Sequence, residues 1–343
     1  MDVVDTAHPF DRSPMATWRA AIVAWLFALL ILGAVIGLIV HFSELHALAM
    51  VVRHMRRVWL FGAVALQGLT YVCAAAVWQL ALTHEGFSFR VRTLVPMALA
   101  MLFANQAFPS AGLAGSAVVM RSLRRREVPP HVVMGALLVG LITMYAAYLL
   151  ALVMGLAILG AQVERGRLLI VLALFALAAA GIPTAISWYR HSLPARARTA
   201  IARVPGIGAL LDAMAAAPGG LLKDRRLLLS AAGIQFLEIL LDAATLFVVV
   251  VAIDAPIPPS VVFACFAVAS AAARVVPVPL GLGSFEGALT GILHLAGVPL
   301  EAALTATLLL RGLTLWLPML PGLWCARHEL WGGTIEPTAA AAH

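Results

Sequence analysis

The stretch that decides the fold reads Arg274-Val-Val-Pro277-Val-Pro279-Leu-Gly281-Leu-Gly283-Ser-Phe-Glu286-Gly287, and it sits between two apolar runs. Two prolines lack a backbone donor and two glycines open the backbone, so helical hydrogen bonding fails from Pro277 to Ser284. In lipid, non-helical backbone persists only when buried in protein or lining a water-filled cavity. The stretch therefore predicts a helix broken at depth inside a membrane. A new helix beyond Gly283 offers free N–H groups and a positive dipole end to an anionic phosphate. Glu286 falls in its first turn, where a carboxylate either caps the helix or takes part in a site.

The surroundings support the membrane reading. Of 343 residues, 63% are hydrophobic and only 11% charged, whereas globular domains are about half apolar and a quarter charged. Ala20 to Val40, Val58 to Thr83, Val132 to Val163 and Leu168 to Tyr189 run without a charge, each long enough to cross about 30 Å of hydrocarbon as a helix. The alternating pattern of a barrel strand is missing. A net charge of +7 could suggest nucleic acid, but the basic residues fall in short loops between apolar runs, as cytoplasmic loops require. Cys73, Cys265 and Cys325 lie in apolar stretches without metal or redox spacing and read as packing residues. Arg12 and Arg19 precede an apolar run too long for a secretory signal, so a retained first span is expected.

A second interruption lies between Thr93 and Met120, with Asn105, Gln106, Pro109, Gly112 and Gly115. Laid over one another at an offset of 168 to 170, the halves bring Gln67 onto Gln235, Pro109 onto Pro279, and Val128-Pro129 onto Val298-Pro299. Chance recurrence of Pro and Gly is the competing explanation. The expected fold is an all-α polytopic membrane protein forming a single flippase-like domain over 1–343. It has about six full spans plus two re-entrant helical hairpins, Thr93 to Met120 and Pro256 to Leu300. The units, 58–163 and 227–326, form an inverted repeat, the arrangement that marks a transporter site near the midplane. The segment 193–226, with Arg196, Arg198, Arg203, Lys223, Arg225 and Arg226, reads as a basic surface stretch along the headgroups. With both termini cytoplasmic, 16 of the 23 Lys and Arg residues fall inside and five outside, while Arg274 and Arg311 stay at depth. The cluster Arg53, Arg56 and Arg57 fits only as an outer interfacial helix.

Charges within apolar spans cost about 2.5 to 3.5 kcal/mol each on insertion scales and usually face a cavity or one another. Glu238, Asp242, Arg274, Glu286 and Arg311 qualify. Glu238 and Asp242 are four apart on one helix face, which repels unless a cation or proton lies between them. Arg274 or Arg311 supplies that cation. An internal pair fixing helix register and direct contact with a lipid headgroup are both open. Arg311, deep in the run Ala302 to Ala326, needs a partner, Glu286 first and Asp242 next. His328-Glu329 lacks the second histidine of a metalloprotease helix, and no nucleophile elbow, phosphate loop or metal-ligand cluster is present. No enzyme, cofactor or metal site is expected.

The segment Arg274 to Gly287, followed by Gly297-Val298 and by Leu310-Arg311, resembles the lysylphosphatidylglycerol synthase transmembrane family, the membrane half of the multiple peptide resistance factor. Asn105-Gln-Ala-Phe-Pro109-Ser-Ala-Gly112-Leu-Ala-Gly115, with Arg121 after it, is similar to that family's first-half motif. The resemblance covers nearly the whole chain in order and spacing of spans. It implies a lipid flippase-like fold with two re-entrant hairpins. Taken with the charges in the apolar spans, the candidate substrate-binding positions are Asn105, Arg121, Glu238, Asp242, Arg274, Gly281, Gly283, Glu286 and Arg311. The arginine and aspartate usual in the family's next span are not found between Val132 and Val163. The chain ends 17 residues after Ala326, so lipid aminoacylation is not expected of it. The expected function is movement of a lipid headgroup, anionic or modified, between leaflets of an inner (plasma) membrane. The partners expected are membrane lipids and not nucleic acid, with lipid-biosynthesis proteins or a second copy of the chain as further candidates. The alternative is an accessory subunit or enzyme in isoprenoid, hopanoid or glycolipid synthesis.

Overall fold

The computed structural model describes residues 57–107, 112–160, 219–255, 257–275 and 283–331, with isolated positions between 173 and 184. Every element among them is helical: α1 (Arg57–His84), α2 (Val91–Ala107), α3 (Leu113–Arg125), α4 (Pro130–Leu159), α5 (Gly219–Lys223), α6 (Arg225–Ala252), α7 (Pro259–Val275), α8 (Ser284–Leu295), α9 (Leu300–Arg311) and α10 (Leu317–Trp331). A π-helical turn, Gly312–Trp316, joins α9 to α10. The expected spans Ala20 to Val40 and Leu168 to Tyr189 lie outside the described residues, apart from isolated positions in the second. Gly281 and most of the basic segment 193–226 lie outside them as well.

Among the described residues four helical stretches are long and apolar enough to cross a membrane: Val58–His84, Pro130–Leu159, Arg225–Ala252 and Leu300–Glu329. Phe61 and Leu229 stand 71% and 73% exposed on their outer faces. At about 25 cal/mol per Å² of apolar surface, side chains of that size belong in hydrocarbon and not in water. The protein is thus a multi-pass membrane protein. The last of these stretches contains the span expected over Ala302 to Ala326. Its helix widens into the π turn directly after Arg311, followed by Pro318 and Pro321, which cannot donate to the helical ladder.

Local chemistry sets the helix starts. Asp224 caps α6 by accepting the N–H groups of Arg226 at 2.8 Å and Leu227 at 3.3 Å. These bonds from Leu227 and Arg226 hold its carboxyl below the usual carboxylate range, and His84 adds to the effect. Extended Pro129 and Pro299 precede α4 and α9. Gly112 (φ 89°) and Gly283 (φ 82°) open α3 and α8 in a left-handed conformation that other residues rarely adopt. Asn105 accepts the Gly115 N–H at 2.9 Å and ties the deep end of α2 to the start of α3.

One buried cluster holds Leu82, Leu94, Leu123, Val128, Val132, Leu221 and Leu227. The end of α1, the start of α2, the end of α3 and the starts of α4 and α6 therefore meet at one end of the bundle. The bounds of α1 and α6 differ by 168 at both ends, as do those of α2 and α7, and Pro129 and Pro299 differ by 170. All positive-φ residues among those described fall into corresponding pairs: Gly86 with Asp254, Gly112 with Gly283, and Glu127 with Gly297. Packing crosses between the halves, with α6 on α1, α2 on α10 and α7 on α4. Small residues permit this closeness: a Cβ at Gly322 of α10 would lie 2.9 Å from the Leu99 carbonyl oxygen, and one at Gly155 of α4 would lie 3.3 Å from that of Ala264.

Candidate functional site

Mid-span positions of α1, α4 and α6 and the inner end of α7 supply one polar cluster. Asp242 sits one turn beyond Glu238 near the middle of α6 and accepts from Gln67 Nε2 of α1 at 2.9 Å. The same amide reaches Thr245 Oγ1 at 3.2 Å. Glu238, Asp242 and Arg274 are within electrostatic reach of one another. The Arg274 guanidinium lies 3.6 Å from the centroid of the Tyr148 ring, and its Nη1 donates to the Ser270 carbonyl at 3.0 Å. Stacking fixes the plane of the guanidinium, and Arg274 as a whole residue stays exposed. Glu238 makes no hydrogen bond or ion pair among the described residues. The Tyr71 hydroxyl, buried and without a hydrogen-bond partner among those residues, lies within electrostatic reach of both carboxylates.

A second group forms at the tip of the other broken segment. Arg311 Nε donates to Glu286 Oε1 in an ion pair whose side chains are only 14% and 12% exposed. The guanidinium also sits 4.7 Å from the Phe285 ring centroid, and Phe285 packs edge-on against Phe266. Glu286 is thus the partner that the depth of Arg311 demands. Its other oxygen accepts the Gly283 N–H at 2.7 Å, so this donor at the start of α8 is taken by the chain's own carboxylate.

Of the residues singled out in the sequence, Glu238, Asp242 and Arg274 come together, and Glu286 and Arg311 come together. The described contacts sort them into these two groups. Gly283 shapes the second group through its backbone. Asn105 is engaged with Gly115, and Arg121 lies exposed toward the surface end of α3. Sequence reasoning missed Gln67, Tyr71 and Tyr148, although a glutamine in an apolar run was a visible signal. It also missed that Glu329 is bound by Ser122 and Arg126. Among the described residues no group of three or more His, Cys, Asp or Glu side chains is disposed to hold a metal.

Broken helices, crossed packing between two halves and ionisable side chains at mid-depth define a class, the multi-pass α-helical membrane domain with a polar interior. A family model described as the lysylphosphatidylglycerol synthase TM region matches residues 23–322, and the chain belongs to that family. A search of curated proteins finds no match.

Proposed function

We propose that the protein is a flippase-like carrier: a lipid headgroup crosses the membrane along the polar interior while its acyl chains remain in the bilayer. The observation that carries this reading is the cluster of Glu238, Asp242 and Arg274, where charged donors and acceptors are held at mid-depth and Arg274 is still exposed. A purely structural ion pair would direct its groups at one another. Arg274 is the first contact for the headgroup phosphate and Arg311 the second, and no covalent step falls to the chain.

The topology in this reading has α2–α3 and α7–α8 as re-entrant hairpins, in two inverted repeats, with both termini cytoplasmic in an inner membrane. α2 and α3 measure about 26 and 20 Å at 1.5 Å per residue, too short to span singly. The cluster joining Leu94 to Leu123 supports entry and return at one face. His84 at the end of α1 bonds Asp224 at the start of α6 at 3.1 Å, which supports opposite directions for these counterpart helices. Arg90, Arg92, Arg121, Arg124, Arg125, Arg126, Arg225 and Arg226 fall at the same end, favouring it as the cytoplasmic face.

Reconstitution into vesicles with headgroup-varied fluorescent lipids, followed by quenching from outside, tests the function. Trans-bilayer movement of at least one anionic, aminoacylated or isoprenoid-linked lipid should exceed that of protein-free vesicles, and Arg274→Ala should abolish the excess. No movement of any lipid by the wild-type protein, or full movement by Arg274→Ala, refutes the reading.

A further inference from the structure

We propose that α10 is a gate arm, hinged at the π turn and held shut at the arginine-rich end of the bundle by Glu329; the inference rests on the carrier reading. Glu329, in the last turn of α10, is 7% exposed. Its carboxylate accepts from Ser122 Oγ and, at 2.8 Å, from Arg126 Nη2. Arg126 Nη1 braces Ser122 Oγ at 3.1 Å, and Arg125 Nη1 donates to the Glu329 carbonyl at 3.1 Å. The end of the last helix is thereby fastened to the end of α3, across the two halves.

The arm has its own hinge. The π turn Gly312–Trp316 lengthens the hydrogen-bond step, and Pro318 and Pro321 leave the carbonyls of Thr314 and Leu317 without their helical donors. Bending is cheapest along this stretch, between the Arg311–Glu286 pair and the latch. Beneath the latch, α10 meets α2 and α3 through Ala100, Ala104, Val118, Cys325 and Ala326, with Leu99 and Phe103 of α2 packed against them. The latch adds a polar hold to this apolar one. The latch is not a requirement of the fold. At the offset of 170 that relates Pro129 to Pro299, Ser122, Arg126 and Glu329 correspond to Ile292, Ala296 and Leu159, which carry no polar side chain. Among the described residues, these counterpart positions form no such charged lock. The structure is therefore the state closed at the arginine-rich face, and release of Glu329 lets the arm swing from α2 and α3 and opens the polar interior to that face.

Cys325, one turn before Glu329 and 4% exposed, is a built-in reporter of this movement. In a Cys73→Ala, Cys265→Ala background, the rate at which a membrane-impermeant thiol reagent modifies Cys325 is measured from each side of oriented vesicles. Glu329→Gln should raise that rate about tenfold or more, the response of a two-state equilibrium to loss of a charged contact, and only from the arginine-rich side. Arg126→Lys, which keeps the charge, should give a rate nearer the wild type. Should Glu329→Gln fail to fold, a reducible cross-link between Ser122→Cys and Glu329→Cys, in a background with the three native cysteines replaced, takes over. Lipid movement should stop on linking and resume on reduction. An unchanged Cys325 rate in folded Glu329→Gln, equal rates from both sides, or movement that continues through a formed link overturns the gate. A wild-type protein that moves no lipid refutes the carrier reading instead, and the Cys325 rate still reports whether the arm opens.

Discussion

Arg311 and Glu286 are bound as an ion pair in a place where neither is tolerable alone, and the pair therefore separates structural from functional roles. Arg311→Ala leaves a buried carboxylate uncompensated and should lower folded yield, with a cost of about 3 to 5 kcal/mol. Reversing both charges should recover yield if the pair only stabilises. Arg311→Lys keeps the charge but loses the planar fork, so a role in headgroup binding predicts normal folding with loss of lipid movement. A lysine variant with full yield and unchanged movement rules that role out. Asp224 offers a test by pH. Its carboxyl is held below the ordinary value of 3.8 by the N–H groups of Leu227 and Arg226, so the stability it adds is full above that value and lost as pH falls through the lower, folded one. Thermal melts of Asp224→Ala should fall below wild type at neutral pH and converge with it in strong acid; a gap that persists there removes the carboxylate as its cause.

Helix against helix, two close approaches occur where a glycine of one half meets a helix of the other. Gly322→Ala puts a methyl group 2.9 Å from both the Leu99 carbonyl oxygen and Phe103 Cβ, and the backbone cannot yield as a side-chain tip would. A loss of about 1 to 3 kcal/mol is expected, seen as a lower melting temperature in detergent. Gly155→Ala meets its nearest neighbours at 3.3 to 3.4 Å and should cost less. Equal melting temperatures for the two variants contradict the packing described. The hairpins are tested by accessibility: cysteines introduced beside Arg90 and Arg121 should label from one and the same side. Labelling from opposite sides makes α2–α3 a spanning unit and ends the inverted-repeat reading.

Across the whole molecule, the sequence made visible whatever depends on one helix and its solvent. The run Val58 to Thr83 became α1, most of Val132 to Val163 became α4, and the left-handed glycines fell where the Pro/Gly stretches break the chain. Arg311 found Glu286 because a charge at depth must have a partner, and few are near in sequence. What stayed hidden depends on register between distant helices. Gln67 and Asp242 are 175 positions apart and Ser122 and Glu329 are 207 apart, and nothing local to either residue names the other. The π turn was equally illegible, since Gly312-Leu-Thr-Leu-Trp316 carries no proline of its own.

The crossed packing also bears on how the chain is made. α2 belongs to the first half, yet it rests on α10, whose residues are made only after all of α3 to α9. During synthesis the first hairpin must therefore be inserted long before its supporting surface exists, with Ala100 and Ala104 facing lipid or an insertion factor in the meantime. α7, by contrast, meets a finished α4 as soon as it emerges. The two hairpins mature at different times, and the first remains unsupported until α10 arrives.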